Sequence, residues 1–323
     1  MYLHYLKKHL KRNIMYKSKN TNITLNKAKD VKKDEFHTQL SDIECELKHY
    51  KDHFKGKVVY CNCDDPRYSN FPKYFLDNFA ELELERLIAT CKNDECSFYL
   101  DSYSSDTEKY KIEKLLDNGD FRSQECIRFL KQSDIVVTNP PFSLFREHFD
   151  QIMEYNKKFL VIGHQNAIIY KNIFPYIRDN QVWLGYGFKG DATHFINRAG
   201  YDDYAVSTSR KDGMIRVSGV VWFTNLEIDK NRELILHKKY NPEEYQKYEN
   251  YNAIEVSKTS NIPMDYDGIM GVPVSFMNKY NPNQFKIIGS NRGVDQDPNG
   301  VYGRGSYIDG KEVFKRIFIC LKK

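Results

Sequence analysis

Ten consecutive residues near the middle of the chain, 133–142 (Ser-Asp-Ile-Val-Val-Thr-Asn-Pro-Pro-Phe), restrict the fold more than any other stretch. The apolar run 135–137, bounded by polar residues, predicts a buried strand of a parallel sheet. Pro140 and Pro141 then prevent continuation as strand or helix, because each lacks a backbone N–H and has a fixed φ. Asn139 is held extended by the proline ring that follows it. The sequence therefore predicts a rigid turn at the carboxyl end of a strand, where open α/β sheets bind their ligands.

This turn carries groups that suit the recognition of a planar base with an amino group. It presents the Asn139 amide, two proline carbonyls that no neighbouring N–H is required to occupy, and the aromatic face of Phe142. A purely structural alternative is a Pro-Pro turn in which Asn139 only caps the next helix. The context favours the functional interpretation, because an amphipathic helix with Phe145, Phe149 and Ile152 on one side follows the turn.

The composition excludes several classes of protein. At 323 residues the chain is long enough for one large or two modest domains with a real core. No apolar run approaches the roughly 18 residues of a membrane span, and the first residues lack the apolar segment of a signal peptide. The seven cysteines are odd in number and show no disulfide pattern, so we expect reduced thiols and a cytoplasmic protein.

Positive charge is concentrated at the amino-terminal end. Residues 1–33 contain ten Lys or Arg and one acid, a net charge of +9, whereas the other 290 residues carry a net charge of −4. Such a basic, flexible arm is usually only a solvated tail. Beside a site that grips bases it would instead supply the sequence-independent attraction to phosphates that a DNA enzyme requires. We favour the second role.

Strand and helix patterns alternate through the first 229 residues. Buried strands are predicted at 57–63, 87–90, 135–137 and 158–163, a hairpin at 97–112, and late strands at 183–186 and 220–224. Helices are predicted at 34–53, 72–79, 124–131 and 168–177. This alternation predicts an α/β fold with a doubly wound, mostly parallel sheet. Short strands and turns beyond residue 229 predict a smaller appended region, 230–323.

Two cysteine pairs raise the alternative of a zinc site. Cys61 and Cys63 are separated by one residue, and Cys91 and Cys96 by four. Alternate residues of a strand point to opposite faces, so Cys61 and Cys63 do not converge on one ion. No paired Cys or His motif accompanies them. We therefore expect no metal.

The run at 133–146 resembles the adenine-specific DNA methyltransferases of the EcoRI methylase family, which use S-adenosylmethionine. The Cys-Asn-Cys-Asp-Asp-Pro-Arg run at 61–67 is similar to that family as well. The resemblance covers about residues 20–290 and is weak over 187–219. Most methyltransferases have a Gly-rich loop after the first strand; here Ser69 and Asn70 stand where Gly-x-Gly is expected, a departure that the EcoRI family shares.

The resemblance implies a fold and a set of site residues. It implies a class I, Rossmann-like methyltransferase domain over 34–229, a recognition loop at about 187–219 and a target-recognition region at 230–323. The implied catalytic residues are Asn139, Pro140, Pro141 and Phe142. The implied cofactor-binding residues are Phe36, Thr38, Asp64, Asp65, Pro66, Asp120 and Phe121. Phe36 and Thr38 would close over the methionine end of the cofactor, and Asp120 and Phe121 would contact its adenine.

These features predict a site-specific DNA adenine N6-methyltransferase that acts on a flipped base in double-stranded DNA. The resemblance implies the modification enzyme of a restriction-modification system, with GAATTC as its site and a cognate restriction endonuclease as a possible partner. We expect a monomer, bacterial or phage-encoded, without membrane contact. Two alternatives stay open: a methyltransferase of RNA adenine or protein glutamine, which usually has Tyr at the position of Phe142, and a non-catalytic DNA-binding relative.

Overall fold

The structure is a computed structural model that describes residues 36–92, 98–103, 110–188, 193–196, 213–229, 233–292 and 305–322. The predicted basic arm lies outside these residues, and so does most of the predicted loop 187–219. None of the helices described is both long enough and apolar enough to cross a bilayer.

The described strands and helices are numbered here in chain order. The strands are β1 (Val58–Cys61), β2 (Arg86–Thr90), β3 (Phe98–Tyr103), β4 (Lys111–Lys114), β5 (Ile135–Thr138), β6 (Lys158–His164), β7 (Trp183–Leu184), β8 (Thr193–Ile196), β9 (Met214–Val217), β10 (Val220–Thr224), β11 (Ala253–Glu255), β12 (Ile269–Pro273), β13 (Phe285–Ser290), β14 (Ser306–Ile308), β15 (Lys311–Val313) and β16 (Arg316–Leu321). The α-helices are α1 (Leu40–Leu47), α2 (Lys51–Phe54), α3 (Asn70–Asp77), α4 (Gln124–Gln132), α5 (Phe145–Glu154) and α6 (Phe174–Arg178). Short 3₁₀ helices span Phe142–Leu144, Gln165–Ile169, Thr259–Asn261 and Val274–Lys279.

Eight strands form the central sheet in the order β4-β3-β2-β1-β5-β6-β10-β7. The neighbours β2, β1, β5 and β6 are parallel, and within this sheet β3 and β10 run against the common direction. The prediction of a mostly parallel sheet is therefore confirmed. The chain passes from β1 outward to β2 and later returns to the other side of β1 at β5. The switch point of the sheet thus lies between the carboxyl ends of β1 and β5.

Alternate residues of the central strands enter two apolar clusters, one on each face of the sheet. Tyr60, Val136 and Val161 belong to the cluster that contains α5, whereas Val59 and Val137 belong to the cluster that contains α1 and α3. This separation follows from the two-residue period of a strand. All five side chains are fully buried, because helices cover both faces of the sheet.

The helix predicted over 34–53 is shorter than expected. It begins at Leu40 as α1 and is followed by the separate, short α2. Residues 36–39 are extended instead: His37 pairs with Ile196 of β8, and Gln39 has φ −68° and ψ 143°. Tertiary hydrogen bonds hold these residues in place of helical ones, as described below.

The remaining elements of the first 229 residues follow the predictions closely. β3 and β4 form the predicted antiparallel hairpin, and β7 and β10 are the predicted late strands. The helix predicted over 168–177 is divided into the 3₁₀ helix Gln165–Ile169 and α6. Pro175 in the first turn of α6 explains the division, because proline is tolerated at the start of a helix and not in its interior.

The C-terminal part of the chain forms a second sheet in the order β11-β12-β16-β13. Ile254, Met270 and Ile317 from this sheet share one apolar cluster with Tyr60 of β1 and Phe145 of α5. The C-terminal strands therefore pack directly on the helical layer of the central sheet, and one core extends across residue 229.

Candidate active site

The turn after β5 has the geometry that its two prolines require. Asn139 and Pro140 are buried, and Pro141 has φ −53° and ψ 127°, so the chain leaves the strand abruptly. One proline carbonyl is occupied, which the sequence did not predict: Pro141 accepts from the Leu144 N–H at 2.9 Å and so begins the 3₁₀ helix Phe142–Leu144. No hydrogen bond from a described residue reaches the Pro140 carbonyl.

The Asn139 side chain has its amide orientation fixed by the chain itself. Its Nδ2 donates to the Phe36 carbonyl at 2.5 Å and to the Thr38 hydroxyl at 3.3 Å. A carbonyl only accepts, so the amide atom that faces Phe36 must be the nitrogen. Oδ1 is buried and has no hydrogen-bond partner. A buried acceptor without a partner is uncommon and calls for an explanation, of which a functional role is one.

Aromatic rings surround this turn. Phe142 is half-buried and packs against Phe36, with ring centroids 5.4 Å apart and planes at 59°. Phe36 in turn contacts Phe195 of β8 at 5.5 Å. Because the Phe36 and Phe142 rings are tilted and not stacked, Phe142 keeps exposed surface for contact with a planar ligand.

Asp64 joins the ends of three neighbouring strands. Its carboxylate accepts from the Ser69 hydroxyl at 2.6 Å and from the Thr138 hydroxyl at 2.5 Å. Its backbone N–H donates to the carbonyl of Thr90, the last residue of β2. Ser69 also caps α3 by accepting from the Phe71 N–H at 3.3 Å. Hydrogen bonds to Asp64 therefore shape the loop after β1, in which glycine is missing.

Asp65 forms an ion pair within the same loop. Its two oxygens accept from Arg67 Nε at 2.9 Å and Nη2 at 2.5 Å. Burial alone raises the pKa of the Asp65 carboxyl, but the hydrogen bonds from Arg67 outweigh it and the pKa lies below its usual value. Pro66, between the two partners, is buried. The loop is thus rigid and carries an ionised carboxylate at neutral pH.

Asp120 lies before α4 and faces two cations. Arg122 Nε and Nη2 each donate to it at 2.8 Å, and Lys92 Nζ lies at 3.4 Å. The hydrogen bonds from Arg122 lower the pKa of the Asp120 carboxyl to about 2, so this group is also ionised at neutral pH. Phe121 beside it is buried and meets the His148 ring edge-on, with centroids 5.1 Å apart.

Sequence analysis missed a buried polar group next to Phe121. His148 Nε2 donates to Asn62 Oδ1 at 2.9 Å, and Gln151 Nε2 donates to the Phe121 carbonyl at 3.2 Å. Burial lowers the pKa of His148 to about 3, so the imidazole is neutral at physiological pH. Helical spacing was the available signal, because His148 lies three residues after Phe145 on the buried face of α5.

The predicted site residues fall into two groups at the carboxyl edge of the central sheet. The first surrounds the end of β5, where Thr38 contacts Asn139 and Asp64 contacts Thr138. The second consists of Asp120 and Phe121. His148 connects this group to the end of β1, because its ring contacts Phe121 and its Nε2 donates to Asn62. The switch point of the sheet therefore carries both groups, as ligand sites of open α/β sheets do.

Two further observations concern a cavity away from this site and the binding of metals. A cavity of about 500 Å³ lies at the opposite edge of the sheet, where Lys57, Ser133, Asp134 and Lys157 line it just before β1, β5 and β6 begin. Across the described ranges, no cluster of three or more His, Cys, Asp or Glu side chains is arranged to hold a metal ion.

The model of one protein family, described as Adenine-specific methyltransferase EcoRI, matches residues 24–316. The match includes the turn at 139–142 and both groups of site residues, so the fold and the site define a methyltransferase. The chain belongs to the EcoRI methylase family, as the sequence motifs predicted.

Known relatives agree with this assignment. The Type II methyltransferase M.EcoRI of Escherichia coli is 45% identical over 310 residues, which are 89% of this chain and 95% of the relative. The Type II methyltransferase M.MpnI of Mycoplasma pneumoniae is 42% identical over 272 residues, and M.MgeORF184P of Mycoplasma genitalium is 40% identical over 271. Each of these two alignments covers 81% of this chain and 84% of the relative. No solved structure matches the chain.

Proposed function

We propose that this protein is a site-specific DNA adenine N6-methyltransferase that uses S-adenosylmethionine and serves as the modification enzyme of a restriction-modification system. The observation that carries this proposal is the unpartnered Asn139 Oδ1, an acceptor of fixed orientation beside the half-buried Phe142. Membership of the EcoRI methylase family supports the same activity.

The acceptors of the turn match the hydrogens of an adenine amino group. Such a group has two N–H donors, and Asn139 Oδ1 and the Pro140 carbonyl offer one acceptor to each. Accepting both hydrogens draws the nitrogen towards tetrahedral geometry and makes its lone pair available for attack on a methyl group. Phe142 would stack on the base, a contact that usually contributes about 1–3 kcal/mol.

The base has to leave the duplex before it reaches these groups. Unpairing and unstacking cost a few kcal/mol, which the contacts in the pocket offset. Because Asn139 Oδ1 is buried, the side chains that cover it must also shift as the base enters. A rearrangement that the correct substrate drives in this way is an induced fit.

The residues near β1 and α4 fit the cofactor. The parallel order β2-β1-β5-β6, with the antiparallel β10 between β6 and β7, supports the class I, Rossmann-like assignment. Asp120 is an ionised acceptor whose most distant donor is Lys92, so the amino group of a nucleoside would take the place of Lys92. Phe121 beside it would flank the ring, and Asp65 and Pro66, in the loop after β1, would border the cofactor. When bound, the sulfonium supplies an activated methyl group.

Catalysis then depends on positioning by this chain. Asn139 and Pro140 hold the reacting nitrogen, while the loop from Asp64 onward borders the cofactor. The hydrogen bond from the Thr138 hydroxyl to Asp64 connects these two halves across adjacent strands. Fixed relative orientation of two reactants lowers the barrier because it removes the entropy cost of bringing them together.

The remaining parts of the chain would provide contacts to duplex DNA. We assign phosphate attraction to the basic arm 1–33 and base recognition to the loop at 187–219 and the region 230–323. We propose a cytoplasmic monomer, with a cognate restriction endonuclease as its functional companion.

Methylation of mixed-sequence duplex DNA with tritiated S-adenosylmethionine, followed by mapping of the modified bases, tests this proposal. We expect N6-methyladenine at one position of a short recurring sequence. Asn139→Ala should lose transfer while still binding the cofactor, because the acceptor for the amino group is gone. Transfer of label to RNA or protein offered in parallel, with none to the duplex DNA, would contradict the proposal. So would an Asn139→Ala variant that keeps more than about a tenth of the wild-type rate, a loss of only ~1.4 kcal/mol.

A further inference from the structure

We propose that Thr38 is a positioning residue, that it holds Asn139 in the amide orientation which the Phe36 carbonyl sets, and that Asn70 supports it. This inference rests on the proposed function and deepens it. The family resemblance assigns Thr38 to the cofactor, whereas the hydrogen bonds described above direct its hydroxyl towards the residue that would hold the target base.

The need for a positioning residue arises from the symmetry of an amide. The oxygen and nitrogen of Asn139 occupy nearly the same volume, so packing alone does not decide which of them faces the target. Both hydrogens of Nδ2 have acceptors here, the Phe36 carbonyl at 2.5 Å and Thr38 Oγ1 at 3.3 Å. The oxygen is left over and faces away from both. A target amino group therefore meets an acceptor and never a competing donor.

The segment that carries these acceptors, residues 36–39, is itself held from two sides. Asn70 Nδ2 donates to the Thr38 carbonyl at 2.8 Å, which attaches the segment to the loop after β1. On the other side, Ile196 N–H donates to the His37 carbonyl at 2.8 Å. Gln39 Nε2 donates to the His194 carbonyl at 2.6 Å. These contacts explain why the segment is extended and not the first turn of α1.

Asn70 acquires a function from this arrangement. It is one of the two residues, with Ser69, that stand where the resemblance to methyltransferases leads one to expect Gly-x-Gly. A glycine at this position would have no side chain to donate to the Thr38 carbonyl. We infer that Asn70 stabilises the segment 36–39, and through it the orientation of Asn139.

The test compares Thr38→Val, which keeps the shape and removes the hydroxyl, with the matched control Thr38→Ser, which keeps the hydroxyl. Single-turnover methylation is measured at saturating S-adenosylmethionine and DNA, and the Kd of the cofactor is measured separately. We expect Thr38→Val to slow transfer roughly three- to tenfold, the effect of one long hydrogen bond. Thr38→Ser should recover most of this loss, and the cofactor Kd should change less than about twofold in both variants.

A second readout does not depend on activity. With selective ¹⁵N labelling of asparagine, the side-chain amide of Asn139 should exchange slowly with solvent in the wild type and in Thr38→Ser. It should exchange faster in Thr38→Val and in Asn70→Ala, which tests the same segment if Thr38→Val folds poorly. The Asn139 resonance is assigned from the spectrum of Asn139→Ala.

Two results would overturn the inference. One is a Thr38→Val enzyme with the wild-type transfer rate and an unchanged Asn139 resonance. The other is a raised cofactor Kd that accounts for the whole loss of activity, since it would return Thr38 to the cofactor site. Failure of the proposed function has a different signature, namely a wild-type protein that methylates no DNA. The exchange rate of the Asn139 amide still tests the positioning role in that case, because it does not depend on activity.

Discussion

Asn139→Asp is the substitution whose effect the hydrogen bonds of the site specify most closely. It keeps the size of the side chain and the acceptor that would face the target, but replaces Nδ2 by an oxygen. That oxygen would lie about 2.5 Å from the Phe36 carbonyl oxygen, where the native nitrogen donates. Two acceptors then face each other in a position that is only 7% exposed. An unsatisfied buried polar group costs about 1–3 kcal/mol.

The expected loss of rate follows from that cost. If the carboxylate rotates to avoid the Phe36 carbonyl, its other oxygen no longer points at the target amino group. A cost of about 1–3 kcal/mol corresponds to a rate roughly 5 to 150 times below wild type at pH 8. Burial and the neighbouring carbonyl also raise the pKa of the introduced carboxyl, because both disfavour its charged form. The protonated carboxyl donates to Phe36 again, so the rate of the variant should rise as the pH falls.

The assay is single-turnover methylation of the cognate duplex between pH 5.5 and 8.5, reported as the ratio of variant to wild type. This ratio removes effects of pH on DNA binding that both proteins share. Asn78→Asp is the matched control: it loses a comparable donor to a main-chain carbonyl, that of Tyr74, and sits half-buried at the C-terminal end of α3, away from the turn at 139–142. Its ratio should be flat with pH. An Asn139→Asp enzyme with a ratio near one, and no dependence on pH, would refute the fixed amide orientation.

Three further predictions address stacking, the arm and the ion pair of Asp120. Phe142→Ala should reduce the fluorescence change of 2-aminopurine at the target position, because stacking on the base contributes about 1–3 kcal/mol. Phe142→Trp should retain part of this change. Equal signals from wild type and Phe142→Ala would exclude stacking as the role of Phe142. Deleting residues 1–26 removes six Lys or Arg. If half of them contact phosphates, the slope of log affinity against log salt should fall in magnitude by roughly 3, and the base preference should not change. An unchanged slope would show that the arm does not contribute to DNA binding. The pKa of Asp120 is about 2 against an ordinary 3.8, so its ionised form stabilises the fold above about pH 4 and this contribution is lost as the pH falls towards 2. Asp120→Asn should therefore lower the urea midpoint at pH 7, and the difference from wild type should shrink in acid; a difference independent of pH would contradict the assigned ion pairing.

The parts of the fold that the sequence predicted correctly depend on local rules with few exceptions. Two adjacent prolines forbid strand and helix alike, so the turn after β5 was predictable to the residue. Apolar runs between polar boundaries placed the central strands, because a strand covered on both faces admits few polar residues. Family membership was predictable for the same reason, since the motifs that identify the family lie on these strands and their turns.

The parts that the sequence did not predict depend on contacts between distant residues. Residues 36–39 look like the start of a helix, but hydrogen bonds from Asn70 and Asn139 hold them extended. No local pattern encodes a bond between positions that lie a hundred residues apart. The pairing of His148 with Asn62 was invisible for the same reason. The roles of Asn139 and Asp120 towards their ligands remain predictions, which the experiments above address.

The unpaired oxygen of Asn139 explains how this site would select its base. Leaving a buried acceptor unsatisfied costs the folded protein about 1–3 kcal/mol, and an incoming amino group recovers that cost. Guanine and thymine present a carbonyl oxygen at the corresponding edge. That oxygen would face two other acceptors, Asn139 Oδ1 and the Pro140 carbonyl, without a hydrogen between them, so these bases would be rejected. Cytosine also carries an amino group, and these acceptors alone do not exclude it. We expect discrimination against cytosine to come from stacking on Phe142, because a purine covers more of the ring than a pyrimidine.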